Sequence, residues 1–144
     1  MSAPEDQTMP STITGGCACG AIRYACSSPP VAMLSCHCRD CQRASGAAFA
    51  SGIVVHVADI VVTGEPATFV VTGDSGGATT RSFCGTCGSP LFTRGALVPH
   101  LMSIRFASLD DASAFKPAVD IWTASAQPWV VMDPGVERHK GGIA

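Results

Sequence analysis

Apolar and polar positions along this chain change places in short runs, and no stretch keeps a 3.6-residue period over three helical turns. Residues 21–26 alternate as a strand does and stop at Ser27-Ser28-Pro29-Pro30. A second apolar run, 31–35, leads into a cysteine-rich turn. There Cys38 and Cys41 stand three apart, on one face of a short helical piece closed by Ala44-Ser45-Gly46. Further strands are predicted over 47–57, 59–63 and 67–72. The turn Gly64-Glu65-Pro66 and a glycine-rich hairpin loop at 73–77 punctuate them. Strands over 79–83, 89–94, 101–106 and 119–122 follow, with a polar loop at 108–117 before the last. Many short strands at close spacing predict an all-β domain. The expected organisation is a flexible leader at 1–12, one domain at 13–132 and a polar tail at 133–144.

Composition narrows the function classes. Hydrophobic residues make up 47% and charged residues 14% of 144 positions, which suits one compact core and excludes a disordered chain. A net charge of -2 provides no basic face for nucleic acid, and no apolar run is long enough to span a membrane. The first fourteen residues are polar, carry Glu5 and Asp6, and lack the basic and apolar blocks of a secretory signal. The eight cysteines are therefore expected in a reducing compartment, the cytoplasm, where grouped thiols serve as metal ligands or catalytic groups.

The cysteines fall into three motifs. Gly16-Cys17-Ala18-Cys19-Gly20 and Cys84-Gly85-Thr86-Cys87-Gly88 each supply two thiols on a glycine-bracketed turn. Joined, Cys17, Cys19, Cys84 and Cys87 form a closed tetrahedral zinc site of the structural type; held apart, they are two reducible thiol pairs. Cys36-His37-Cys38-Arg39-Asp40-Cys41 brings three thiols together with no fourth beside them. One reading completes this triplet as a second structural zinc with Cys26, His56, His100 or an aspartate. The other leaves the fourth position open to water or a substrate atom. Three thiolates give a zinc centre a formal charge of one minus, which favours a substrate thiol over a strongly activated hydroxide. Arg39 and Arg43 flank the triplet and are the candidates for pairing with substrate carboxylates, whereas Arg81, Arg94 and Arg105 read as solvated surface residues.

These motifs, in this order, resemble the glutathione-dependent formaldehyde-activating enzyme / centromere protein V family. The resemblance runs from about residue 13 to 129. It includes Phe83-Cys84-Gly85-Thr86-Cys87-Gly88-Ser89-Pro90-Leu91-Phe92 and the closing Lys116-Pro117, Ile121-Trp122 and Pro128-Trp129. Asp120 stands where the family often has histidine. The resemblance implies an Mss4-like fold with two zinc ions: a structural one at Cys17, Cys19, Cys84 and Cys87, and a second at Cys36, Cys38 and Cys41. It also implies carbon–sulfur lyase chemistry on an adduct such as S-hydroxymethylglutathione. A second class of function fits the same residues: a non-catalytic carrier of glutathione or another thiol, or an interaction module that the zincs merely organise.

Overall fold

The computed structural model describes residues 12–73 and 76–142. Most of the expected leader and the tip of the 73–77 loop lie outside the described residues.

Two sheets make up the architecture. The smaller one holds β1 (Ile13–Gly16), β2 (Arg23–Cys26) and β5 (Ile60–Thr63), all antiparallel, with β2 in the centre. The larger one has eight strands. In chain order they are β3 (Ala32–Cys36), β4 (Ala50–His56), β6 (Ala67–Thr72), β7 (Ala78–Phe83), β8 (Pro90–Gly95), β9 (Leu101–Arg105), β10 (Val119–Ile121) and β11 (Glu137–Arg138). Their spatial order is β11-β10-β3-β4-β9-β8-β7-β6, with β10 parallel to both of its neighbours and the remaining pairs antiparallel. One α-helix, α1 (Arg39–Ser45), completes the all-β, Mss4-like architecture expected from the sequence. No helix among the described residues is long and apolar enough to cross a membrane.

Side chains of a strand alternate between faces, so register decides which residues share a surface. On one face of the larger sheet Met33 pairs Ile53, Ile53 pairs Ile104, and Ile104 pairs Phe92. Ile53, Val55 and Ile104 are fully buried there against Ile13, Ile22, Tyr24 and Cys26 of the smaller sheet. Tyr24 meets Phe92 edge-on at 5.2 Å, and its hydroxyl lies 2.7 Å from Ser108 Oγ, which satisfies a buried polar group between the sheets. The opposite face of the larger sheet carries Leu34, Cys36, Gly52, Arg81, Thr93, Ser103 and Arg105, and this is the face of chemical interest.

Two strands depart from the sequence expectation. Ile13-Thr14-Gly15-Gly16, where no strand was predicted, forms β1, because a Cβ at Gly15 would overlap Tyr24 Oη and only glycine lets the strand lie so close. Residues 133–142, expected to trail away, return along the sheet: Val119 and Asp120 pair Glu137 and Arg138, and His139 N–H donates to Asp120 O at 2.9 Å.

Candidate functional site

The first cysteine cluster forms where the two sheets meet. Cys17 and Cys19 lie on the β1–β2 turn, and Cys84 and Cys87 on the β7–β8 turn; all four sulfurs fall within 4.8 Å of one another. Cys17 Sγ is 3.6 Å from Cys19 Sγ, and Cys19 Sγ is 3.7 Å from Cys84 Sγ. Tetrahedral coordination with metal–sulfur bonds of about 2.3 Å requires sulfurs about 3.8 Å apart, so the four donors fit one ion. Backbone amides already face the sulfurs: Ile22 N–H donates to Cys17 Sγ at 3.2 Å and Thr86 N–H to Cys84 Sγ at 3.4 Å. The Ser89 hydroxyl and amide, joined by the backbone amide of Cys19, hold the Cys87 thiol down at about 5. Such donors stabilise thiolates, the form a metal takes.

Cys36, Cys38 and Cys41 form the second cluster, also with sulfurs within 4.8 Å of one another. Cys36 ends β3 and is fixed by antiparallel pairing to Ala50 and parallel pairing to Ile121. Cys38 caps α1, its Sγ accepting from Cys41 N–H at 3.3 Å, and Gly46 closes the helix in the left-handed region at φ 68°. Buried Gln42 ties this turn down: its Nε2 donates to His37 O at 2.7 Å and to Ser125 O at 3.1 Å. S–H donation from Cys36 and Cys38, with the Arg81 guanidinium beside it, holds Cys41 far down at about 2. Cys36, which shares its proton with Cys38 and Cys41, is pushed up correspondingly.

The triplet opens into a cavity of about 190 Å³ on the sheet face. Apolar Leu34, Ala50, Ile121 and Trp122 line part of it; Asp40, Thr93, Ser103, Arg81 and Arg105 supply its polar groups. Arg81, 6% exposed, reaches Cys41 Sγ with Nη2 at 3.7 Å. Arg105 is half-buried on β9, and burial pushes its guanidinium down from the ordinary value while the Cys41 sulfur opposes that. Both arginines had the pattern of solvated strand residues in the sequence; the register of β7, β8 and β9 turns them inward. Arg39 and Arg43 are exposed on α1, and neither lines the cavity. Arg94 is exposed and bonds Pro99 O.

Of the candidate fourth ligands, Asp40 lines the cavity without joining the group of three sulfurs, and Cys26, His56 and His100 are placed elsewhere. Cys26 is wholly buried with Sγ 3.6 Å from Ser28 O, and His56 and His100 stack on each other with ring centres 6.4 Å apart. Among the described residues the triplet is a group of three. His37, between two of the cysteines, faces the other side of the sheet, where Nε2 lies 2.9 Å from Asp120 Oδ1. Asp120→Ala leaves this buried nitrogen without a partner and is expected to cost about 1–3 kcal/mol in a denaturation curve, with Asp120→Asn milder because it keeps an acceptor. Equal, near-zero losses for the two variants would show that the pair contributes nothing.

One backbone feature belongs to the site. Trp122 has φ 55° and ψ 38°, the left-handed region, and is the single non-glycine residue with positive φ among the described residues. Its N–H donates to Gly141 O at 2.9 Å and its ring packs on Gly141 and Gly142, so the returning tail holds a strained cavity residue in place.

A family model described as glutathione-dependent formaldehyde-activating enzyme matches residues 12–125. A Halomonas elongata protein, provisionally named a glutathione-dependent formaldehyde-activating enzyme, is 29% identical over 128 residues, covering 84% of this chain and 81% of that one. The crystal structure of a Rhodobacter sphaeroides protein is similar with a TM-score of 0.53 at 20% identity, over 67% of this chain and 87% of that chain; it supports the fold alone. With two cysteine clusters able to hold metal ions and a family match across most of its length, the chain belongs to the glutathione-dependent formaldehyde-activating enzyme family.

Proposed function

We propose that this protein holds two zinc ions, one structural at Cys17, Cys19, Cys84 and Cys87 and one open at Cys36, Cys38 and Cys41. At the open site it makes or breaks the carbon–sulfur bond of a glutathione–aldehyde adduct such as S-hydroxymethylglutathione. The observation that carries this reading is the triplet itself: three converging sulfurs facing a cavity, with no fourth protein ligand grouped with them among the described residues. A zinc ion held there supplies Lewis acidity and one coordination position suited to a sulfur donor. In the lyase direction the carbon–sulfur bond breaks with its electron pair going to sulfur. The hydroxyl oxygen becomes the carbonyl oxygen of the aldehyde, and its proton is left to the thiol or to solvent.

The chain's own residues set the conditions for this step. Leu34, Ala50 and Ile121 keep one wall dry, and Asp40 is the carboxylate lining the cavity. The cavity is smaller than the roughly 300–1,000 Å³ of pockets that enclose drug-sized ligands, so it takes the reacting end of a tripeptide adduct. The rest of glutathione lies outside, where exposed Arg39 and Arg43 are assigned to its terminal carboxylates.

A cobalt-substituted protein tests the thiol reading. Glutathione is expected to change the sulfur-to-metal charge-transfer bands and to release about one proton at pH 7, whereas S-methylglutathione does neither. If glutathione leaves the spectrum unchanged and calorimetry in two buffers shows no proton release, the site does not take thiols. Turnover of S-hydroxymethylglutathione, as against saturable binding without turnover, separates a lyase from a thiol carrier.

A further inference from the structure

The cavity contains more hydrogen-bonding capacity than a neutral hydroxymethyl thiol can use. Arg81 and Thr93 stand opposite each other on β7 and β8, and Thr93 stands opposite Ser103 on β9. Arg105 follows two residues along β9, so these four side chains share one face of the sheet. Arg81 Nη2 reaches Cys41 Sγ, but Arg81 Nη1 and Thr93 Oγ1 are buried with no hydrogen-bond partner. Buried polar groups are nearly always satisfied, so two orphans side by side in one cavity mark the place of a ligand atom. No carboxylate forms a salt bridge with Arg81 or Arg105 among the described residues.

We propose that Arg81, Thr93 and Arg105 form an anion subsite beside the three sulfurs, so that the substrate carries a carboxylate on the carbon bonded to its sulfur. This rests on the thiol reading of the triplet and narrows it. The matching class is the hemithioacetal of a thiol with an aldehyde that itself bears a carboxylate: S–H adds across the carbonyl, sulfur bonds to carbon and the proton goes to oxygen. The hydroxyl of a formaldehyde adduct can bond one or both orphans, but it is neutral and leaves two guanidiniums without a carboxylate partner. The distant carboxylates of glutathione cannot supply one, because Arg81 touches Cys41 and so requires an anion within a few bonds of the sulfur. Charge permits this. Three thiolates and a divalent ion sum to one negative charge, the two guanidiniums add two positive charges, and Asp40 takes one back. The incoming anion therefore meets a cavity with no net negative charge.

The test compares mercaptoacetate with 2-mercaptoacetamide on the zinc-loaded full chain by calorimetry, with the cobalt spectrum as a second readout. Mercaptoacetate is expected to bind about 10-fold tighter or more, as a charge-assisted hydrogen bond warrants. The more acidic thiol of the amide biases the comparison against this result. In Arg81→Gln the preference falls below about 3-fold while amide binding holds, and Thr93→Val reduces it by a smaller factor. Should Arg81→Gln lose its cobalt spectrum, Thr93→Val and Arg105→Gln carry the same comparison. Equal binding of the two ligands by the unmutated protein overturns the subsite and leaves the thiol reading standing, as does an equal loss for both ligands in all three variants. If neither ligand nor glutathione binds, the thiol reading falls and the subsite with it.

Discussion

Cys84→Ser is expected to yield a protein that retains at most one zinc per chain and does not fold. Four sulfurs from the β1–β2 and β7–β8 turns converge on one point, so an ion held there would join the smaller sheet to the larger. A structural zinc of this kind contributes about 10 kcal/mol or more of apparent binding free energy, against a total stability of about 5–15 kcal/mol for a typical domain. The core of Ile53, Val55, Phe92 and Ile104 against Ile13 and Tyr24 also connects the sheets, but its gain is largely offset by chain entropy, so loss of the ion outweighs the net remainder. Metal counting and circular dichroism decide it: a folded Cys84→Ser protein that still binds two zincs removes the assignment. Cys17→Ser, from the other turn, is expected to behave alike.

Cys38→Ser is expected to have the opposite profile: loss of the proposed second zinc and of the response to glutathione, with the fold kept. The triplet is local, confined to the end of β3 and the first turn of α1, and no second sheet hangs on it. Cys38 also caps α1 by accepting from Cys41 N–H, and serine is among the preferred capping residues, so this substitution removes a ligand without removing the cap. A melting temperature within about 5 °C of the unmutated protein is expected, corresponding to a change of about 1–2 kcal/mol. If Cys38→Ser unfolds as Cys84→Ser does, the triplet is structural and the open-site proposal fails.

The spacing of the cysteines carried the largest share of what was legible beforehand. Cys17-x-Cys19 and Cys84-x-x-Cys87 each set half a tetrahedron through local turn geometry, so pairing distant halves required only that the fold bring them together. The strands from β2 to β10 were likewise visible, because β-branched and aromatic runs between glycine and proline turns are local signals. Gly46 announced the end of α1 for the same reason. β1 and β11 were hidden: the first is half glycine and the second is two charged residues, and both exist only because a partner strand accepts their hydrogen bonds.

The chemistry around the triplet was decided at the tertiary level. Arg81 lies in Ala78-Thr79-Thr80-Arg81-Ser82-Phe83, where alternation with polar neighbours gives no face a hydrophobic mark, and Arg105 ends an apolar run as a surface charge commonly does. Proximity in sequence favoured Arg39 and Arg43, but a seven-residue helix starting at Arg39 leaves them exposed and outside the cavity. Register across β7, β8 and β9 places Arg81 beside Thr93 and Thr93 beside Ser103. Register is a property of strand pairing between segments far apart in the chain, and a shift of one residue would send every one of these side chains to the other face. The sequence by itself thus determined where metal ions can be held. Only the tertiary structure decided which charged groups face the three sulfurs of Cys36, Cys38 and Cys41.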